Sequence, residues 1–286
     1  GLHRPASGAA RDHETHPADR YDPRHDRQRP ARPGDGGVGR ECSGELCRCR
    51  ERRTQHVARQ GTRPAHQPER LTESDPRSVD RDLVHLRKLG VDVAYVPSER
   101  AMYPELPQIK LDFGLMEQVM EGEFRPGHFS GVGVVVAKLF NHCNPTRAYF
   151  GLKDLQQYLL VKRLVSDLSL PLDIVGVPIV REESGLAMSS RNQRLSQEGK
   201  RIARTIYQGL ILARQLWEDK SSSDETNQAV NAFYKKQKGL SMEYVQIVSP
   251  GTLRPLENNK LEPAVICVAG YVEGVRLIDN LYLRQD

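Results

Sequence analysis

The sequence predicts an α/β protein in which a parallel sheet with helices is followed by a smaller α+β domain. Three segments carry this prediction: a helix-then-strand pattern over 76–97, a strand, glycine turn and helix over 147–168, and closely spaced alternating strands over 242–280. Helices that alternate with strands are typical of parallel sheets, whereas strands joined by tight turns form antiparallel ones. The length of 286 residues is sufficient for two such domains.

The first predicted elements come directly after residue 74. Apolar residues recur at helical spacing from Val79 to Leu89, on one face, and Gly90 interrupts the pattern, so we predict a helix that ends there. The run 91–97 is rich in valine and ends at a proline, which is typical of a short strand. This helix and strand begin the predicted α/β part.

The segment 130–143 is ambiguous. Four valines within five positions favour a strand, whereas its length and its later Lys-Leu-Phe favour a buried helix, and we predict a helix. A short strand over 147–150, a tight exit at Gly151 and an amphipathic helix over 154–168 follow. The inward positions of that helix are predicted to be Leu155, Tyr158, Leu159, Val161, Leu164, Val165 and Leu168. Free N–H groups and the helix dipole converge at such a corner, which favours anion binding.

A second candidate anion site follows the strand-like run 173–180. The segment 185–192 reads Gly-Leu-Ala-Met-Ser-Ser-Arg-Asn, and its hydroxyls and arginine fork are suitable donors to phosphate oxygens. Less specific interpretations stay open, because either serine can cap a turn and Asp154 can cap the helix that follows it. Lys153 is either a point charge on a phosphate or a solvated lysine, and Gln157 faces either the site or water. Together the two segments predict a nucleotide site.

The C-terminal part predicts a small α+β domain. Ser196 is expected to cap a helix that runs to about Trp217. Its inward face comprises Ile202, Ile206, Leu210, Ala213 and Trp217, which makes the tryptophan a core residue. A second helix is predicted near 225–237. Strands are predicted over 242–248, 264–272 and 275–280. A turn at Glu273-Gly274 joins the last two strands.

Residues 1–70 have a different composition. Their 15 arginines and 10 acidic residues account for the whole formal net charge of +5, because 71–286 contain 27 residues of each sign. They include no Ile, Phe, Met, Trp or Lys, so they lack the apolar surface for a core. Three interpretations stay open: a disordered Arg-rich tail that touches nucleic acid, a metal site, and wrong-frame translation of a GC-rich coding region, which the composition favours. The metal site would use Cys42, Cys47, Cys49 and His56, at a spacing that is poor for zinc.

The cellular compartment is predicted to be the cytoplasm. The five cysteines do not suggest a disulfide framework in a chain of this length. No apolar run reaches the roughly 18 residues of a membrane span, and the first residues lack the apolar core of a signal peptide.

Three motifs occur in a specific order: Arg-Pro-Gly-His-Phe at 125–129, Tyr-Phe-Gly-Leu-Lys-Asp-Leu-Gln-Gln at 149–157, and the segment 185–192. With Leu-Ile-Asp-Asn at 277–280, they make the region 75–286 resemble the pantothenate synthetase (pantoate–β-alanine ligase) family. The resemblance implies a Rossmann-like nucleotide-binding domain with a parallel sheet, plus a smaller α+β C-terminal domain that serves as a lid. It also implies a homodimer formed through the N-terminal domain.

The resemblance further implies the reaction and its residues. Family members join pantoate to β-alanine through a pantoyl adenylate made from ATP with Mg²⁺, and they release pyrophosphate and AMP. The catalytic residues implied are Lys153, Ser189, Ser190 and Arg191. The ATP-binding residues implied are Gly151, Leu152, Lys153, Asp154, Val180, Met188, Ser189, Ser190 and Arg191. Gln157 corresponds to the glutamine that holds pantoate, and Leu152 stands where the family usually has an acidic residue. His128 is interpreted as structural. No residue is assigned to a metal.

The sequence departs from the family in its first quarter. The signature Pro-Thr-Met-Gly-x-Leu-His-x-Gly-His, whose histidines bind the transferring phosphates, does not occur in this chain, nor does an Asn-Pro-x-Gln-Phe segment. We therefore divide the chain into a non-family segment 1–73, an ATP- and pantoate-binding domain 74–180 and a lid domain 181–286, and expect little or no ligase activity as printed. Two alternatives stay open: a related nucleotidyltransferase, and a non-catalytic protein whose Arg-rich tail binds nucleic acid.

Overall fold

The computed structural model describes residues 56–58, 79–256 and 262–284, with the backbone alone at 56–58. The helices are α1 (Val79–Lys88), α2 (Glu99–Met102), α3 (Glu121–Phe124), α4 (His128–Cys143), α5 (Leu155–Asp167), α6 (Gln197–Glu218) and α7 (Ser223–Lys235). The strands are β1 (His56–Ala58), β2 (Val93–Tyr95), β3 (Arg147–Gly151), β4 (Asp173–Val177), β5 (Leu240–Val248), β6 (Ala264–Val272) and β7 (Val275–Arg284). Short 3-10 helices cover Gly114–Glu117, Leu152–Asp154 and Ser190–Arg194.

All of these elements belong to one compact unit, Arg53–Asp286. Most of the arginine-rich segment 1–73 lies outside the described residues, and so do the three cysteines of the candidate metal site. From that segment the structure describes β1, which pairs in parallel with β2 and places His56 opposite Val93. The tail and metal-site interpretations therefore stay predictions.

The α/β half contains a second parallel pair, in which β3 and β4 run in register from Arg147 with Asp173 to Gly151 with Val177. Helices α4 and α5 pack together over this pair. Their shared apolar cluster consists of Val132, Val136, Phe140, Val161 and Leu164, with Phe150 and Ile174 of the strands packed against it. The predicted parallel α/β arrangement is confirmed, as two described strand pairs.

Helix α4 resolves the ambiguous valine-rich segment as a helix, as predicted. Val132, Val136 and Phe140 recur every four residues and meet α5, which is the spacing of a buried helical face. The helix ends at Asn144, which adopts a left-handed conformation and donates its N–H to the carbonyl of Phe140 at 2.8 Å. Tertiary packing therefore outweighs the preference of valine for strands.

The C-terminal half has its own core. Strands β5, β6 and β7 form an antiparallel sheet in that order, and α6 and α7 pack against it. The cluster between them includes Ile206, Leu210, Ala213, Trp217, Ile266 and Val268, all buried. The predicted inward face of α6 is confirmed, with Ile202 half-buried at its edge, and Trp217 is a core residue as expected.

Local signals define the ends of the C-terminal elements, and of these the Ser196 cap and the Glu273-Gly274 turn were predicted. The hydroxyl of Ser196 caps α6 by accepting a hydrogen bond from the N–H of Gly199 at 2.9 Å. Helix α7 begins with a capping box between Ser222 and Glu225. Glu273 and Gly274 both have positive φ, 51° and 72°, which is the geometry of a two-residue hairpin turn.

The structure differs from the predictions in several places, and β7 continues to Arg284, beyond the predicted end at residue 280. Helix α1 forms, but none of its residues is buried, and Leu89 just after it is 74% exposed. Leu168 is 52% exposed because it ends α5, and Ser169 turns the chain away with φ of 50°. The strand-like run after residue 173 stops at Val177, because Pro178 has no N–H for a strand ladder.

Candidate nucleotide-binding site

The first predicted anion site lies where β3 passes into α5. The link is the 3-10 helix Leu152–Asp154, and Gly151 before it has an extended backbone with φ of −69°. The 3-10 helix therefore makes the tight turn out of β3, and Gly151 does not adopt the positive φ that favours glycine. A Cβ at Gly151 would meet nothing within 4 Å, so open space adjoins this backbone. Asp154 makes no capping hydrogen bond to α5, so the capping interpretation of its side chain is wrong.

The Ser-Ser-Arg segment follows a short hairpin. The N–H of Met188 donates to the carbonyl of Val180 at 2.9 Å. Gly185 forms the turn with φ of 87°, and a Cβ there would lie 2.4 Å from the ring of Tyr207. Glycine is required at this position both for its backbone conformation and for the space it leaves.

The capping interpretation is confirmed for Ser189. Its hydroxyl accepts a hydrogen bond from the N–H of Arg191 at 3.2 Å and so begins the 3-10 helix Ser190–Arg194. The Arg191 side chain donates through Nη1 to the carbonyl of Arg276 at 3.3 Å. The short helix therefore sets the spacing between the serine hydroxyls and the guanidinium.

The two motifs face the same space. Lys153 of the first and Arg191 of the second both line two adjoining cavities, and Ile278 and Asp279 of β7 line both as well. The larger cavity encloses about 520 Å³ including its open mouth. Its lining includes the predicted residues Lys153, Asp154, Gln157 and Arg191. The smaller cavity, of about 300 Å³, adds Ser189. Residues that carry an ammonium, a guanidinium and a hydroxyl thus line the same cavity from two segments.

Some of the predicted ATP-binding residues do not line these cavities, namely Gly151, Leu152, Val180, Met188 and Ser190. Val180 and Met188 form part of the hairpin and are 62% and 56% exposed. Gln157 is half-buried and lines the larger cavity, so of its two interpretations the structure favours the site over water. The roles of these residues stay predictions.

Buried polar residues of β7 support both motifs, and the sequence interpretation assigned them no role. Asp279 forms a two-point ion pair with Arg181, at 2.6 Å and 2.9 Å. Burial raises the pKa of Asp279, although Arg181 opposes that shift. The amide of Asn280 donates to the carbonyls of Leu152 and Lys153 at 2.8 Å and 3.0 Å. An Asp-Asn pair inside a strand whose central residues are otherwise apolar was the available signal, because buried polar groups need partners.

A second buried network joins the two halves beside the larger cavity. Arg276 of β7 donates to both carboxylate oxygens of Glu121, at 2.7 Å and 2.8 Å, and also pairs with Glu243. The hydroxyl of Tyr244 donates to Glu121 at 2.9 Å. Burial opposes the ionisation of Glu121, but the hydrogen bonds and charge of Arg276 outweigh it and lower the pKa of this carboxyl. The amide oxygen of Gln156 accepts the backbone N–H of Glu121 at 3.0 Å.

His128 is buried at the wall of the larger cavity. Burial and the nearby Arg125 lower its pKa to about 4, so the imidazole is neutral at neutral pH. Its Nε2 lies 3.1 Å from Nη1 of Arg125, which donates to it. This contact agrees with the structural interpretation of His128.

The described thiols are not joined in a disulfide. Cys143 and Cys267 are both free, and burial raises the pKa of Cys267 to about 12. Within 56–58, 79–256 and 262–284, no three His, Cys, Asp or Glu side chains are grouped to hold a metal ion. No helix in that part of the chain is long and apolar enough to cross a membrane.

A parallel α/β half that meets a second domain at a cleft lined by Lys153 and Arg191 is typical of nucleotide-binding enzymes. The relatives specify which one. This chain belongs to the pantoate–β-alanine ligase family, because the family described as Pantoate-beta-alanine ligase matches it over residues 66–282. The match begins inside the segment 1–73 and leaves residues 1–65 outside.

Individual relatives agree with this assignment. The chain is 43% identical to the pantothenate synthetase of Cytophaga hutchinsonii over 210 residues, which are 73% of this chain and 74% of that protein. It resembles the crystal structure of pantothenate synthetase from Thermus thermophilus with a TM-score of 0.73, 39% identity and coverage of 78% of this chain and 81% of that one.

A second solved structure is that of pantoate-β-alanine ligase from Francisella tularensis complexed with β,γ-ATP and β-alanine. It matches with a TM-score of 0.58, 33% identity and coverage of 74% of this chain and 72% of that one. The predicted family, its ligase class and the α/β fold are confirmed. These matches support the ligase over the nucleotidyltransferase and nucleic-acid alternatives.

Proposed function

We propose that this chain carries the ATP and pantoate sites of a ligase that condenses pantoate with β-alanine. The observation that carries the proposal is that Lys153 and Arg191, from motifs far apart in sequence, line the same cavities. In the first step a pantoate carboxylate oxygen attacks the α-phosphorus of MgATP, and the bond to pyrophosphate breaks. In the second step the amine of β-alanine attacks the acyl carbon, loses a proton, and AMP leaves.

The cationic residues stabilise the charge that develops in the first step. Lys153 lies at the corner before α5 and places its ammonium at the reacting phosphate. Arg191 and the Ser189 hydroxyl hold the outer phosphates, since a guanidinium and hydroxyls are strong donors to phosphate oxygens. Ser190 assists them, as the resemblance implies. Donors held in place before the reaction stabilise the transition state without reorganisation.

The remaining predicted residues border the two substrates. Gln157 lines the larger cavity and holds pantoate through its amide. Asp154 lines the same cavity with its side chain free of any capping bond, and is available to a nucleotide hydroxyl. The backbone of Gly151 and Leu152, with Val180 and Met188, borders ATP. Mg²⁺ enters as part of the substrate MgATP.

Three further features belong to this proposal. The domain 181–286 acts as a lid on the domain 74–180, and the protein forms a homodimer through the latter. The site of action is a reducing cytoplasm, with which the free thiols of Cys143 and Cys267 are compatible. The segment 1–73 replaces the histidine signature of the family, so the chain as printed has little or no ligase activity.

The experiment is a replacement of residues 1–73 with the in-frame N-terminal segment of a family member. Pantoate-dependent release of pyrophosphate from ATP is measured for the printed chain and for the chimera. We expect release only from the chimera. Equal release of pyrophosphate from the two proteins, independent of pantoate, would contradict the proposed function. It would also contradict the explanation that residues 1–73 cause the loss of activity.

The role of Lys153 is tested in that chimera. Lys153→Ala should lower the rate of adenylate formation by roughly 10²–10³, the usual effect of removing one group that stabilises a developing charge. The matched control is Lys162→Ala, because Lys162 is an exposed lysine further along α5 and lines neither cavity. Equal effects of the two substitutions would contradict the assignment of Lys153.

A further inference from the structure

Asp279 and Asn280 are consecutive buried polar residues in the middle of β7, with 4% and 3% exposure. Successive side chains of a strand point to opposite sides, so the two reach different partners. Their mutual geometry is also fixed, since Oδ1 of Asp279 accepts the N–H of Asn280 at 2.8 Å. One dipeptide therefore contacts two separate parts of the cleft.

Asn280 holds the first nucleotide motif. Its side-chain Nδ2 donates at 2.8 Å to the carbonyl of Leu152 and at 3.0 Å to that of Lys153. Both carbonyls belong to the 3-10 turn that carries the Lys153 ammonium. This amide therefore links the turn to the C-terminal sheet, together with the apolar contacts that Leu152 makes with the same sheet.

Asp279 holds the second motif through Arg181. The guanidinium of Arg181 makes its two-point pair with Asp279, donates to the carbonyl of Gly185 at 3.1 Å and lies 4.0 Å from the ring centre of Tyr207. These contacts anchor the base and the tip of the hairpin that leads directly into Ser189. The pair is nearly enclosed, with 16% and 3% of the two side chains exposed.

We propose that Asp279 and Asn280 are positioning residues that hold the Lys153 turn and the Ser189–Arg191 segment at a fixed separation. They act through these two segments and not by contact with the reacting atoms. Arg181 also neutralises the Asp279 carboxylate, which would otherwise face the bound phosphates with a like charge. The inference rests on the proposed function, because it assigns ATP to the cleft that the two segments border.

The test begins with Asn280→Asp and Asn280→Ala in the full chain. The first variant keeps the side-chain shape but sets a carboxylate against two carbonyl oxygens, whereas the second only removes the donors. A positioning role predicts a larger effect for Asn280→Asp, and a packing role predicts a larger effect for Asn280→Ala. The matched control is Asn231→Asp in α7, because the Asn231 amide donates to the carbonyl of Asn227 at 2.9 Å, away from the cleft.

Backbone hydrogen exchange over 152–157 is the first measurement. Exchange there should accelerate about tenfold in Asn280→Asp, less in Asn280→Ala and not at all in Asn231→Asp, which corresponds to the loss of about one to two net hydrogen bonds. Exchange in α6 should stay at the level of the unaltered chain. Unchanged exchange over 152–157, an equal rise in α6, or a larger effect of Asn280→Ala would overturn the proposal. If Asn280→Asp does not fold, Asn280→Ala is compared with the control: an exchange rise over 152–157 that α6 does not share supports the proposal, and unchanged exchange or an equal rise in α6 overturns it.

Equilibrium binding of MgATP to the same proteins is the second measurement. Asn280→Asp should weaken binding about tenfold, and Asn231→Asp should leave it unchanged. Equal affinity of Asn280→Asp, Asn231→Asp and the unaltered chain would overturn the positioning role. Failure of the unaltered chain to bind MgATP would contradict the proposed function instead, and the exchange measurement would still decide whether β7 holds the turn.

Discussion

The two halves of this molecule bury their strands to very different extents. Eight of the nine residues of β6 are buried, between β5 and β7 and beneath α6 and α7. By contrast, neither β3 nor β4 has a single buried residue, although parallel strands are usually covered on both faces. The C-terminal sheet is therefore covered on both faces, by α6 and α7 on one side and by residues such as Met120 and Leu155 on the other, whereas β3 and β4 are only partly covered.

The candidate site lies where the two halves meet, so it depends on both. An apolar cluster across this boundary combines Met120 and Leu155 from the α/β half with Val248, Val265 and Cys267 from the C-terminal sheet. The network around Arg276 crosses the same boundary. The C-terminal half thus stabilises the site-bearing corner of the α/β half.

The largest expected effect comes from the boundary itself. Arg276→Met should lower the free energy of unfolding by about 3–5 kcal/mol at pH 7, because it removes the nearest cation from the buried Glu121 and the half-buried Glu243. Urea unfolding measures the loss. The control Arg201→Met, which breaks only the exposed pair with Glu198, should change nothing measurable.

The Arg276 prediction has a specific pH dependence. The folded-state pKa of Glu121 lies below its ordinary value of 4.5, so this pair stabilises the protein fully above pH 4.5 and less as the pH falls through the lowered value. The difference between Arg276→Met and the unaltered chain should therefore shrink below pH 4.5. A constant difference from pH 7 to pH 3 would show that the network does not couple the halves electrostatically.

The next effect compares a core leucine of the C-terminal half with an exposed leucine of the α/β half. Leu210→Ala in α6 should cost about 2–5 kcal/mol of unfolding free energy, because the side chain is wholly buried in the C-terminal cluster. Leu89→Ala, at a leucine that is 74% exposed, should stay within about 0.5 kcal/mol. Thermal and urea unfolding of both variants give the comparison. Similar losses at the two sites would contradict the difference in burial between Leu210 and Leu89.

A smaller effect concerns how acid lowers the stability of the α/β half. The folded-state pKa of His128 is about 4, below its ordinary 6.5, so the unfolded chain binds an extra proton and stability falls as the pH drops from 6.5 towards 4. His128→Gln should remove this pH dependence, which lowers the free energy of unfolding of the unaltered chain by about 2 kcal/mol at pH 5. Unfolding curves between pH 7.5 and pH 5 measure it. Parallel pH profiles for the variant and the unaltered chain would contradict the buried neutral imidazole.

The smallest effect tests a local signal of the C-terminal half. Ser196→Ala removes the cap of α6 and should cost about 1 kcal/mol, whereas Ser196→Thr keeps an acceptor for the N–H of Gly199 and should cost less. Thermal unfolding of the two variants is sufficient. Equal losses would mean that the hydroxyl does not cap the helix.

Local sequence patterns predicted the helices, strands and turns better than they predicted which other elements pack against them. Ser196, the Glu273-Gly274 turn and the face of α6 each follow from nearest-neighbour rules, and each is confirmed. Whether α1 is buried could not be predicted in this way. An apolar helical face favours packing, but it does not show whether another element packs against it, and the residues of α1 are not buried. The inward position predicted for Leu168 was wrong for a similar reason, since a helical period does not indicate where the helix stops.

The candidate site was predictable in part. Motif chemistry indicated Lys153 and Arg191, and the structure brings both to one cleft. The partners that hold them could not be inferred from spacing, because Arg181 and Asp279 meet across a sequence separation of 98 residues. Asp154 was assigned a possible cap by its position alone, whereas its side chain is left for the cleft. Long-range pairing is a property of the folded chain.

The glycine at the hairpin tip has a consequence well beyond its own turn. A methyl group at Gly185 would push against Tyr207, and the ring of Tyr207 carries the guanidinium of Arg181 on its face. Displacing that guanidinium would weaken its pairing with Asp279 and shift the surroundings of Lys153 without touching that lysine. A single methyl group at Gly185 would thus affect the cleft through the Tyr207 ring, the Arg181 guanidinium and the Asp279 carboxylate in turn.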